Sequence, residues 1–98
     1  MYIVKLEFSS HRIRARDWMD EHNRWIQRGF DDGVFLLTGS LESNRGGVVL
    51  AANTTLEALQ TRIKDDPFVA HGVVEASVCA IAPSRAIPAL ADILGTNR

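Results

Sequence analysis

The start of the chain alternates. Tyr2, Val4, Leu6 and Phe8 share one side, while Lys5, Glu7 and Ser9 share the other, so residues 1–9 predict a strand with one buried face. Residues 10–16 are polar and read as a connection. From about residue 15 to 30 the period lengthens. Trp18, His22, Trp25, Ile26 and Gly29 fall on one face, and Asp20, Glu21, Asn23, Arg24, Gln27 and Arg28 mostly take the others, which predicts an amphipathic helix. Gly29 and the Asp31-Asp32-Gly33 turn end it. Residues 34–38 and 47–52 are continuous apolar runs flanking the turn-rich segment 39–46, the pattern of a hairpin with a long tip. Thr54-Thr-Leu-Glu57 has capping-box spacing, and Leu56, Leu59 and Ile63 supply the buried stripe of a helix reaching about Lys64. Asp66-Pro67 opens a short turn closed by Gly72, and residues 73–82 form a last strand stopped by Pro83. Residues 87–94 predict a short C-terminal helix entered at Pro88, with the last few residues frayed.

The order strand, helix, strand, strand, helix, strand predicts an α+β fold: a ferredoxin-like βαββαβ plait, an antiparallel sheet with its helices on one face. A sheet whose second face is wet alternates along its strands. The middle strands here do not, since Val34-Phe-Leu-Leu37 and Val48-Val-Leu-Ala-Ala52 are apolar on both sides. Helices cover one face only. A second copy of the same sheet is the simplest cover for the other, so a homodimer packed through its sheet faces is expected, with a higher oligomer also open.

A chain of 98 residues supports one domain, with a core at 1–82 and an apolar tail at 83–98. Its formal net charge of −1, with both signs interspersed, leaves no basic stripe to neutralise phosphates, so no nucleic-acid partner is expected. The cluster His11, Arg12, Arg14 and Arg16 is short and runs into Asp17 and Asp20; it reads as a solvated helix entry or as an anion-steering rim on a pocket. Cys79 stands alone in an apolar run and reads as a small hydrophobe. No signal-peptide layout opens the chain and no apolar stretch is long enough to span a bilayer, so the expected location is the cytoplasm, away from membranes.

Segments spread along the chain resemble the YciI-like (YCII-related) family. They are His22-Asn-Arg-Trp-Ile-Gln-Arg-Gly29, then Phe35-Leu-Leu-Thr-Gly-Ser40 followed by Gly46-Gly-Val-Val, and then Asp66-Pro-Phe-Val-Ala-His-Gly72, which is similar to the family's "DPF" or "DPY" motif. The resemblance implies a dimeric α+β barrel and an active site built from a histidine and an aspartate, carried over to His22 and Asp66. It also implies kinship with muconolactone isomerases, small monooxygenases and dehydrochlorinases of chlorinated hydroxyquinols. The tail after Ala82 departs from many relatives.

Each candidate residue admits two uses. An imidazole at His22 suits general acid–base work, yet its place between Trp18 and Trp25-Ile26 equally suits a hydrogen-bonded core histidine. Asp before Pro is a ready helix cap, and Asp66 has that use besides orienting His22; one carboxylate oxygen capping while the other faces His22 would serve both. Ser40, after Gly39 at a strand end, is a ligand contact or a turn residue. Trp18 and Phe35 line a pocket or fill the core. His71 is a C-cap or a second acid–base group, and Tyr2 is placed to reach the site from the first strand. The histidines and carboxylates lack metal-ligand spacing and there is no Gly-rich phosphate loop, so neither metal nor other cofactor is expected. The expected function is proton transfer by a His22–Asp66 pair on a compact aromatic or carbonyl metabolite, by elimination or isomerisation. Backbone amides near Gly39 and Ser40 would steady oxyanion charge. The alternative is a non-catalytic small-ligand-binding or accessory module.

Overall fold

The computed structural model describes residues 1–95. Its elements are β1 (Tyr2–Phe8), α1 (Ala15–Asp31), β2 (Phe35–Ser40), β3 (Gly46–Ala51), α2 (Leu56–Lys64), α3 (Pro67–Ala70), β4 (Val74–Ala80) and α4 (Pro88–Leu94). The strands form an antiparallel sheet in the order β2-β3-β1-β4, the order of a ferredoxin-like plait. The expectation of frayed last residues concerns 96–98, which lie outside the described residues.

Alternation in β1 works as its sequence dictates. Val4 and Leu6 are buried on the helix side with Val49 and Ala51 of β3 and Val74 of β4, while Lys5 and Glu7 point the other way. Trp25 from α1 and Leu59 and Ile63 from α2 close that core. The Trp25 indole N–H donates to the Arg62 carbonyl at 2.8 Å and ties the two helices together. Gly29 lets α1 come close to the sheet, because the Phe35 ring occupies the space where a side chain would begin.

The opposite face carries an apolar row. Leu37 pairs with Leu50, Leu50 with Ile3, and Ile3 with Cys79, so the row crosses all four strands. Leu37 is 49% exposed there, and Ile3 and Leu50 are only half-buried.

The sequence reading needs correction at some points. Thr55, not Thr54, caps α2: its hydroxyl accepts from the Ala58 amide at 3.1 Å. The chain turns through a left-handed Asn53 (φ +57°), which delivers the second threonine, already extended, to the cap position. Cys79 is exposed rather than packed, because β4 is an edge strand and Glu75, Ser77 and Cys79 point away from the helices. The long hairpin tip is shorter than expected; β2 runs to Ser40 and β3 starts at Gly46, with a 3₁₀ turn at Glu42–Asn44. Among the described residues no helix is long and apolar enough to cross a membrane.

Candidate functional site

His22 sits on the sheet-facing stripe of α1, and Asp66 is the residue just before α3. The local sequence explains Asp66. Its extended backbone feeds Pro67 into the first helical position, where a missing N–H costs nothing, and its Oδ1 accepts the Phe68 amide at 3.0 Å. That cap aims the carboxylate back toward α1. The His22 Nδ1 lies 2.7 Å from the same Oδ1. An ionised carboxylate only accepts, so Nδ1–H donates to it and Nε2 is the ring nitrogen outside this pair.

The expected division of labour between the carboxylate oxygens is not what the structure shows. Oδ1 serves both the cap and His22, and Oδ2 is buried without a hydrogen-bond partner among the described residues. Asp66 is fully buried, whereas His22 keeps 9% of its surface. The imidazole is also held by ring packing. Phe68 stacks on it at 3.9 Å between centroids with a 4° interplanar angle, and Trp25 lies 5.9 Å away. Cap, carboxylate and stacked ring together fix the orientation of His22.

His22 lines a cavity of about 290 Å³ between α1 and the sheet. The α1 wall adds Met19, Asn23 and Ile26; the sheet contributes Leu6, Phe8, Gly47 and Val49; β2 brings Thr38, Gly39 and Ser40. Among the described residues, His22 is the only titratable side chain in this lining. At its edge, the Arg12 guanidinium carbon sits 4.3 Å from the centroid of the Phe8 ring, which lines the cavity.

Sequence reasoning found part of this. His22, Gly39 and Ser40 line the cavity, with Asp66 directly behind His22. Phe35 is only 3% exposed in the core, edge-on to Trp25, and does not line it. Trp18 also lies outside the lining and stacks on His71 at 3.6 Å, a contact joining α1 to the C-cap of α3. Tyr2 packs against the core cluster instead of reaching the cavity. Asn23, Thr38, Gly47 and Phe68 were missed as site residues. Thr38 was discoverable, since it lies two positions before Ser40 on one strand and therefore on the same face. Asn23 gives no comparable signal.

No protein-family model and no curated protein sequence matches the chain. Among solved structures, the fold is similar to that of 5-chloro-2-hydroxyhydroquinone dehydrochlorinase (TftG) from Burkholderia phenoliruptrix AC1100, in a complex with 2,5-dihydroxybenzoquinone. The TM-score is 0.70 at 10% sequence identity, covering 83% of this chain and 92% of that one. That likeness shows the fold, a small α+β plait built on a four-stranded antiparallel sheet.

Proposed function

We propose that the protein is a YciI-like enzyme in which His22 transfers a proton to or from a compact aromatic or carbonyl-bearing substrate. The carrying observation is the buried 2.7 Å contact between His22 Nδ1 and Asp66, on a histidine that lines a cavity. In this reading Nε2 takes a proton from a carbon beside a carbonyl. The C–H electrons pass to the carbonyl oxygen as an enolate, which the Thr38 and Ser40 hydroxyls and the Asn23 amide of the cavity lining would steady. Collapse of the enolate expels a leaving group on the adjacent carbon or, where a neighbouring double bond extends it to a dienolate, recovers a proton from His22 at the far carbon. Asp66 balances the imidazolium formed in between. The fold shared with a dehydrochlorinase supports the same class of chemistry.

The test is chloride release from 5-chloro-2-hydroxyhydroquinone, together with solvent deuterium uptake into hydroxyquinones. Turnover should fall about 10²–10⁴-fold in His22→Gln, the usual span for a lost general base. Undiminished turnover in that variant, or a wild type that catalyses neither reaction, would overturn the proposal.

The apolar row on the open sheet face supports a second element of the same reading, a homodimer joined sheet to sheet. Sedimentation at micromolar concentration should show a dimer. Leu50→Lys, placing an ammonium in the middle of that row, should raise the dissociation constant about 100-fold or more. A wild type that sediments as a monomer removes the dimer.

A further inference from the structure

Two glycines stand side by side at the start of β3, and they are glycine for different reasons. At Gly46 the backbone requires it: φ is +143°, and a Cβ would collide with the Leu6 carbonyl oxygen. Neither constraint applies at Gly47. Its φ is not positive, and the nearest atom to an added Cβ would be the Gly39 carbonyl oxygen at 3.4 Å, an ordinary contact. Glycine inside a strand costs backbone entropy and forgoes side-chain packing, so an unforced one marks a place where something approaches closely.

The register shows where the missing side chain would point. Gly47 pairs with Leu6 on one side and Ser40 on the other. Leu6 is buried toward the helices, so the Gly47 Cβ direction is into the space beneath α1, and Gly47 lines the cavity together with His22. We infer that Gly47 is a size-determining residue: its bare backbone is the floor on which a flat ring ligand lies, between Leu6 and Ser40 and under His22. The inference deepens the proposed function and rests on its site, but not on turnover. Volume sets the ligand class. About 150 Å³ of apolar cavity accepts benzene, whereas drug-sized ligands occupy roughly 300–1,000 Å³. A cavity of about 290 Å³ therefore suits a substituted ring or a fused pair and falls short of a drug-sized ligand. The lining hydroxyls of Ser40 and Thr38 suit ring hydroxyl or carbonyl groups.

The test uses binding rather than catalysis. Catechol and 2-naphthol are titrated into wild type, Gly47→Ala, Gly47→Val and Ser77→Ala, followed by amide chemical shifts, with a thermal melt of each protein. Ser77→Ala is the control, because Ser77 pairs with Lys5 on the other sheet face and lies outside the cavity lining. Wild type should bind catechol with shifts around Gly47 and His22. Gly47→Ala should weaken catechol about tenfold and 2-naphthol by more, and Gly47→Val should abolish the binding of both. Both variants should melt no lower than wild type, and Ser77→Ala should bind as wild type. Full catechol binding by Gly47→Val overturns the inference, as does a large fall in the melting temperature of Gly47→Ala, which would make the glycine structural. A wild type that binds neither ring overturns it too. Catechol binding that obeys this pattern in a protein without turnover would sink the catalytic reading and leave Gly47 as the size gate.

Discussion

Asp66→Ala should lower stability by about 2–3 kcal/mol, while Asp66→Asn should stay within about 1 kcal/mol of wild type and lose activity. The alanine variant removes two hydrogen bonds at once, because Oδ1 serves both His22 and the Phe68 amide. The buried Nδ1–H left without an acceptor costs roughly 1–3 kcal/mol, and the lost cap about 1 kcal/mol more. Relief of the unpartnered Oδ2 offsets part of that sum. For a domain of this size each kcal/mol moves the melting temperature by about 4–8 °C, so a fall of roughly 10–20 °C is expected in a thermal melt. Asparagine keeps an oxygen where Oδ1 stands and so retains both bonds. It lacks the negative charge that offsets an imidazolium, and turnover should drop about 10²-fold or more. The two variants thus separate capping from chemistry. An alanine variant that melts like wild type would mean that the buried contact carries no stability. Full turnover in the asparagine variant would remove the charge role.

Gly29→Ala should destabilise the protein by about 2 kcal/mol, against the gain of roughly 1 kcal/mol that alanine brings to an ordinary helix interior. The new methyl group would fall on the Phe35 ring. That ring cannot slide aside easily. It is held edge-on by Trp25 at 5.0 Å and by Phe30 at 6.3 Å between centroids. The helix must lift instead, and His22 lies two turns earlier on the same stripe. Turnover should therefore fall with stability, and Phe35→Leu in the same chain should recover more than half of both by clearing space. A Gly29→Ala protein that melts at or above wild type would show that the close approach of α1 to β2 is not what requires the glycine.

The plait was legible because each element carries its own period. The alternation of β1, the helical stripe of α1 and the doubly apolar middle strands follow from residue spacing, and few topologies satisfy their order. Details set by neighbours were less legible. Two adjacent threonines offer identical hydroxyls, and only the turn at Asn53 decides which one caps α2. An aromatic residue at a strand start is equally suited to core and cavity, and Phe35 entered the core because Gly29 makes room for it. Cys79 lies in an apolar run that happens to be an edge strand. At the site, His22 and Asp66 could each be named, but no spacing rule reports that one oxygen would serve both bonds. Gly47 was hidden for a different reason, since an absent side chain leaves no pattern until the register shows what it faces.

His22 and Asp66 meet across 44 positions of sequence, one from each half of the plait. The helix that Asp66 caps has only four residues and has no stability of its own. The pair can therefore form only where the two halves of the plait are docked against each other. A fragment containing either half alone holds an ordinary histidine or an ordinary aspartate. Any partly open state that lifts α3 from α1 parts the two while the four strands are still joined. Any chemistry of the pair would thus be tied to the complete native structure, and a chain caught midway through folding or unfolding would lack it.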